Sequence, residues 1–126
     1  MGKLNFRFPL RWGGIRSASR LSPGQSRPVA RDCRRLSTLM NQFGHDHLDL
    51  IKLDIEGFEY AALDDMIATS VRPTMLLVEF HHGSYAIRAE KTRCAVSRLI
   101  EYEYGIFWVS DVGREYGFLD LHALRN

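Results

Sequence analysis

The sequence predicts an α/β domain with a mostly parallel sheet and an antiparallel hairpin at one edge. Two observations support this prediction: apolar strand segments alternate with amphipathic helical segments from residue 29 onward, and the first two of those strand segments leave no consistently polar face. Helices between fully apolar strands favour a layered α/β architecture, because the helices cover a sheet that is buried. A chain of 126 residues is long enough for one such domain.

The helices are predicted from apolar spacing. Apolar residues recur at three- and four-residue intervals over 36–43 and predict a short helix that Gly44 ends. A second helix is predicted over 57–68, and a third over 86–103, ending near Gly105. The second helix is expected to turn these side chains toward the core: Phe58, Ala61, Ala62, Leu63, Met66 and Ile67.

The strands are predicted from apolar runs between these helices. Residues 48–55 and 75–80 are nearly continuous apolar runs and predict two strands buried on both faces. Residues 106–109 and 116–121 predict a hairpin, with a turn signal at 111–113 between its strands.

The start of the chain differs in charge from the rest. Residues 1–35 contain nine basic residues and one acid, whereas the remainder contains eight basic and fourteen acidic residues. Residues 3–12 alternate strictly between apolar and polar side chains and predict an edge strand that turns at Gly13 and Gly14. We therefore divide the single domain into a basic hairpin or arm, residues 1–28, and a main part, residues 29–126.

Composition excludes several classes of protein. No window approaches the ~20 apolar residues of a membrane helix, and no apolar core follows a basic start as in a secretory signal. A cytoplasmic protein without membrane contact is expected. Cys33 and Cys94 are too few for a disulfide framework and are predicted to be reduced packing thiols.

The densest functional signal follows the first buried strand. Asp54 and Glu56 come at its carboxyl end, where loops and helix starts of α/β sheets form ligand sites, and Lys52 precedes them. Packing charged side chains at such a position costs free energy, so their presence there favours a functional role. The alternative is structural: the two acids bind amides of the next helix start while Lys52 neutralises one of them.

A second candidate group follows the next strand. Glu79 and His81 would share a rim with Asp54 and Glu56 if the two strands are adjacent and parallel. A histidine there can accept a proton near neutral pH. No metal site is predicted. No pair among the acids and the histidines has the spacing of a recognised metal-binding motif. The histidines considered are His45, His47, His81 and His82. The sequence also has no P-loop, nucleophile elbow or glycine-rich nucleotide fingerprint after a strand.

Three segments carry a family resemblance. They are Arg-Leu-Ser-Thr-Leu over 35–39, Asp-Leu-Ile-Lys-Leu-Asp-Ile-Glu-Gly-Phe-Glu over 49–59, with Leu63 after it, and Leu-Val-Glu-Phe-His over 77–81. The Lys-x-Asp-x-Glu-Gly-x-Glu run is the most specific. Over residues 29–121 the chain resembles the C-terminal half of an FkbM-type methyltransferase, which depends on S-adenosyl-L-methionine (SAM). Residues 3–28, with Gly-Gly-x-x-Ser-x-Ser, are similar to the hairpin insertion before that half.

The resemblance implies a fold and a cofactor. The fold would be a partial class I methyltransferase sheet, Rossmann-like, with helices on both faces, residues 48–55 and 75–80 as its fourth and fifth strands, and the final hairpin as its last two. In the family, the first two strands supply most of the SAM pocket, and this sequence has no counterpart of them. The chain is therefore expected to be a fragment of a longer enzyme, with SAM as cofactor and its binding residues unknown.

The resemblance also implies an activity, methyl transfer to a hydroxyl of a sugar or secondary metabolite. Asp54 and Glu56 are expected to position or deprotonate the acceptor, with His81 as a third catalytic residue. Lys52 would orient the two acids as a substrate-binding residue, and Glu79 would line the acceptor side with His81.

Two other classes of function remain open. A nucleic-acid-binding module is suggested by Phe6, Phe8 and Trp12 interleaved with Arg7 and Arg11, since basic side chains follow phosphates and aromatic rings stack on bases. A non-catalytic half-domain is the other alternative. It would fold against a missing N-terminal half or in a homo-oligomer, because an open apolar strand edge requires a cover.

Overall fold

The computed structural model describes residues 34–84 and 87–126, so the predicted basic hairpin, residues 1–28, lies outside the described residues. None of the helices in these two ranges has the length and apolar composition of a membrane span. The order of elements is α1 (Leu36–Phe43), β1 (Leu50–Leu53), α2 (Glu59–Ala68), β2 (Met75–Glu79), α3 (Ala89–Glu101), β3 (Tyr104–Val109), β4 (Glu115–Asp120) and α4 (Leu121–Arg125).

The helix boundaries follow from local backbone geometry. Gly44 ends α1 in the left-handed region at φ 69°, as predicted. Helix α2 begins two residues later than predicted, because Glu56 and Gly57 also have positive φ and cannot continue a right-handed helix. The short helix α4 was not predicted. It begins where the Asp120 carboxylate accepts a hydrogen bond from the backbone N–H of His122.

The four described strands form one mixed sheet in the order β1-β2-β4-β3. Only β1 and β2 are parallel, whereas β4 is antiparallel to both β2 and β3. The predicted hairpin is confirmed, but the prediction of a mostly parallel sheet is wrong for this part of the chain. The reason is that β4 inserts between β2 and β3, so the hairpin contributes two of the three strand pairings.

Strand β1 is more exposed than the sequence predicts. Leu50 is 52% exposed, and Lys52 is exposed as well. The prediction of a strand buried on both faces is wrong here, because β2 is the only described strand that pairs with β1. An apolar groove of about 290 Å³ lies beside β1, between α1 and α2, with Ile51, Leu53 and Phe58 in its wall.

The core lies where β2 and β4 meet α2 and α3. Its buried apolar side chains are Tyr60, Leu63, Met66, Val71, Leu76, Val78, Phe80, Ala95, Leu99, Tyr104 and Phe118. Of the α2 residues predicted to face the core, Leu63 and Met66 are fully buried and the others are half-buried. Glu59 is also fully buried, which the apolar pattern does not predict.

An ion pair joins the two central strands at one end of the sheet. Arg72, just before β2, donates two hydrogen bonds to the carboxylate of Asp120, the last residue of β4. The guanidinium also lies 4.2 Å from the ring centroid of Tyr102. This pair fixes the amino end of β2, and the candidate functional residues lie at its carboxyl end.

Candidate functional site

The turn after β1 is held by a buried carboxylate. Glu59, the first residue of α2, accepts hydrogen bonds from the backbone N–H of Ile55 at 2.9 Å and from that of Gly57 at 3.0 Å. The turn needs left-handed backbone at Glu56 (φ 56°) and Gly57 (φ 100°). Because the Glu59 side chain has no solvent exposure, these hydrogen bonds are what makes its burial tolerable.

His81 is attached to the same carboxylate. Its Nδ1 lies 2.8 Å from Oε1 of Glu59, and its side chain is only 11% exposed. Since Glu59 already accepts two backbone N–H groups, it also acts as the acceptor toward the ring. The hydrogen-bond network therefore assigns the ring hydrogen to Nδ1 and, in the neutral imidazole, the lone pair to Nε2.

Two exposed carboxylates lie on the other side of the His81 ring. Nε2 is 3.6 Å from Oε2 of Glu56 and 3.8 Å from Oδ1 of Asp54. These side chains are 63% and 42% exposed, so a solute can reach them. We call Asp54, Glu56, Glu59 and His81 together the carboxylate–histidine cluster.

Strand pairing brings the cluster together. Strands β1 and β2 are adjacent and parallel, with Leu53 opposite Val78, so the residues after both strands meet at one edge of the sheet. The prediction that His81 shares a rim with Asp54 and Glu56 is confirmed by the distances above. The loop that follows β1 and the loop that follows β2 thus contribute to one site.

Lys52 and Glu79 stand apart from this cluster. Lys52 is exposed within β1, and Glu79 is the last residue of β2, opposite Glu115 of β4. In the described parts of the chain, no hydrogen bond or ion pair joins either residue to Asp54 or Glu56. Their substrate-binding roles therefore stay predictions without a supporting contact.

Glu59 is the residue that sequence reasoning missed. The structural alternative assigned the binding of backbone amides to Asp54 and Glu56, whereas Glu59 binds the amides of Ile55 and Gly57. The available signal was the last acid of the Lys-x-Asp-x-Glu-Gly-x-Glu run, which falls in the first turn of a helix, where acids are favoured.

A second polar network lies beside the cluster. Thr92 Oγ1 is 2.9 Å from the Tyr60 hydroxyl and 3.0 Å from Nδ1 of His82. Burial raises the pKa of Tyr60, the Thr92 hydrogen bond opposes this, and the charge of Glu59 raises it further. The loop after β2 is thus held at two points, by Glu59 of α2 through His81 and by Thr92 of α3 through His82.

The fold is that of an α/β domain, and the carboxylate–histidine cluster lies at the carboxyl ends of its two parallel strands. The family model of the Methyltransferase FkbM domain matches residues 5–119. The chain therefore belongs to the FkbM methyltransferase family. No curated protein and no solved structure matches the sequence.

Methyltransferases in general use SAM as the methyl donor. The described residues do not form a complete SAM pocket. Within 34–84 and 87–126, no strand is followed by a glycine-rich turn. The turn after β1 has a single glycine, Gly57, and its N–H is already bonded to Glu59. What the two loops do bring together is Asp54, Glu56 and His81.

Proposed function

We propose that this chain is the acceptor-binding part of an FkbM methyltransferase that acts on a hydroxyl of a sugar or secondary metabolite, with SAM as methyl donor. One observation carries the proposal. Two solvent-accessible carboxylates, Asp54 and Glu56, lie 3.8 and 3.6 Å from the Nε2 of a histidine that a buried glutamate holds in place.

These residues suit the binding and deprotonation of a hydroxyl. A hydroxyl that is methylated on oxygen loses its proton, and a carboxylate within hydrogen-bond distance can accept it. Asp54 and Glu56 fill this role, and a polyhydroxylated acceptor offers enough donors for both. Because Glu59 fixes the orientation of the His81 ring, this ring can act as a rigid surface against which the acceptor is oriented.

The methyl-donor part of the pocket is proposed to lie in sequence beyond this chain. The described sheet would then be the C-terminal part of a Rossmann-like class I sheet. Calorimetric titration of the 126-residue chain with SAM and S-adenosylhomocysteine tests this point. We expect no binding tighter than roughly 100 μM, which is about 5 to 6 kcal/mol. Tighter binding would show that the chain builds its own cofactor pocket.

The catalytic roles are tested in the full-length protein. Transfer of radiolabelled methyl from SAM to a panel of sugars and polyhydroxylated metabolites is measured for the unmodified protein, Asp54→Asn and Glu56→Gln. We expect each variant to lose about 10²- to 10⁴-fold in rate, because a positioned base is removed.

The matched control is Asp49→Asn. Asp49 is also an acid close to a histidine, 3.5 Å from Nε2 of His47, but its side chain is 98% exposed and lies before β1. Its rate should equal that of the unmodified protein. Near-normal rates for both Asp54→Asn and Glu56→Gln would show that these acids have no part in methyl transfer.

A further inference from the structure

We propose that Thr92 of α3 is a positioning residue for the carboxylate–histidine cluster, because its hydroxyl fixes the ring of His82 and with it the loop that carries His81. The effect of this contact on methyl transfer rests on the proposed function, whereas the fixed ring of His82 does not. Thr92 is hydrogen-bonded to Tyr60 and to His82. The first of these partners directly follows Glu59 in the chain, and the second directly follows His81.

The contact is a row of three polar groups, two of which are buried. Tyr60 and Thr92 are each 4% exposed, and His82 is half-buried. Thr92 Oγ1 lies 2.9 Å from the Tyr60 hydroxyl and 3.0 Å from Nδ1 of His82. Each hydroxyl carries one hydrogen, and a buried hydroxyl hydrogen without an acceptor costs free energy. The positions of these two hydrogens therefore determine which group donates in each bond.

Only one arrangement gives both hydroxyl hydrogens an acceptor among the described residues. Tyr60 donates to Thr92, and Thr92 donates to Nδ1 of His82. If Nδ1 were a donor instead, one of the two hydroxyl hydrogens would have no acceptor in this part of the chain. Burial raises the pKa of Tyr60, so its hydroxyl keeps the hydrogen that it donates near neutral pH. The neutral ring of His82 thus carries its own hydrogen on Nε2.

Two helices therefore hold two consecutive residues of the loop after β2. His81 lies 2.8 Å from Glu59 of α2, and His82 accepts a hydrogen bond from Thr92 of α3. The peptide between the two histidines cannot shift without lengthening one of these bonds. Because the two exposed acids of the cluster belong to the loop after β1, their distance from the histidine ring depends on where this peptide lies. A displacement of about 1 Å at a reacting group can reduce a rate about 10²-fold.

Nitrogen-15 NMR of the histidine rings in the 126-residue chain tests the contact itself. At about pH 8, where histidine side chains are ordinarily neutral, we expect the hydrogen of the His82 ring on Nε2 and an unprotonated, hydrogen-bonded Nδ1. Thr92→Val should move the Nδ1 signal downfield, because valine has no hydroxyl to donate, whereas Thr92→Ser should leave it in place. A hydrogen on Nδ1, or an unchanged Nδ1 signal in Thr92→Val, would overturn the inference.

Methyl transfer in the full-length protein tests the positioning role. We expect Thr92→Val to lower kcat roughly 10- to 100-fold. Thr92→Ser should keep the normal kcat, because serine retains the hydroxyl and loses only the methyl group. The matched control is Thr69→Val, which removes a hydroxyl that donates to the backbone carbonyl of Asp65 at the other end of α2. Its kcat should equal that of the unmodified protein, and the KM for SAM should be the same in all three variants.

Far-ultraviolet circular dichroism verifies that each variant folds like the unmodified protein. The ring hydrogen of His82 is measured in the unmodified chain, so the inference stays falsifiable even if Thr92→Val does not fold. A normal kcat in Thr92→Val, or an equal loss in Thr92→Ser, would overturn the positioning role. An unmodified protein that methylates no acceptor, with the His82 ring as expected, would contradict the proposed function and keep the attachment of His82 to Thr92.

Discussion

The imidazole Nδ1 of His81 lies 2.8 Å from Oε1 of Glu59, a carboxylate with no solvent exposure. This contact joins the loop after β2 to the start of α2. Because the same carboxylate also binds the amides of the turn after β1, a single side chain links the ring to the turn that carries Glu56.

Removal of the Glu59 carboxylate should destabilise the domain strongly. Glu59→Ala leaves two backbone N–H groups and the His81 ring without their buried acceptor, so we expect the free energy of unfolding to fall by about 3 kcal/mol. Urea denaturation measures this change.

Glu103→Gln provides the matched control for that prediction. Glu103 forms an exposed ion pair with Arg125, and loss of such a pair should cost less than about 1 kcal/mol. Equal destabilisation by the two substitutions would mean that the buried hydrogen bonds of Glu59 contribute no more than a surface contact.

Strain at Glu56 should be visible in a pair of substitutions. Glu56 has φ 56°, a left-handed conformation that costs a non-glycine residue roughly 1–2 kcal/mol. Glu56→Gly and Glu56→Ala both remove the carboxylate, but only glycine adopts this backbone freely. We therefore expect the glycine variant to be more stable than the alanine variant by about 1 kcal/mol in thermal or urea unfolding. An alanine variant as stable as the glycine variant would contradict strain at this position.

The Arg72–Asp120 pair should make stability depend on acid pH. Burial would raise the pKa of the Asp120 carboxyl, but the hydrogen bonds and charge of Arg72 outweigh it and hold this pKa below its usual value. The folded-state pKa is therefore lower than the unfolded value of about 3.9. The stabilisation is present above that unfolded value and is lost as the pH falls through the folded value.

Asp120→Asn tests this linkage. At pH 7 we expect a loss of about 3 kcal/mol in the free energy of unfolding, because the largely buried Arg72 keeps its charge without a partner. The difference from the unmodified chain should shrink steadily from pH 5 toward pH 2 in urea titrations. A difference that does not change with pH would mean that Asp120 stabilises the fold through the packing of its side chain and not through its charge.

The local features of this fold could be predicted from the sequence. The helix over 36–43 and its end at Gly44 depend on neighbouring residues, and both are confirmed. The placement of His81 beside Asp54 and Glu56 needed only one further assumption, that two successive strands are parallel neighbours, and the pairing of β1 with β2 meets it.

The remaining features depend on contacts between distant residues. Nothing in the segment over 116–121 indicates that β4 pairs with β2 as well as with β3, so the sheet contains fewer parallel pairs than predicted. An acid in the first turn of a helix is normally solvated, whereas Glu59 is buried and is hydrogen-bonded both to the turn before it and to His81, 22 positions later. For the same reason, the position of β1 at the edge of the described sheet could not be read from its apolar pattern.

The contrast in burial within the carboxylate–histidine cluster bears on how such a site can diversify. Glu59 has no exposed surface, whereas Asp54 and Glu56 are 42% and 63% exposed. Substitution of Glu59 therefore disturbs the turn and the histidine together, whereas substitution of Asp54 leaves the hydrogen bonds of Glu59 in place. Evolutionary change at position 54 is thus compatible with the folded domain, whereas change at position 59 costs the domain stability.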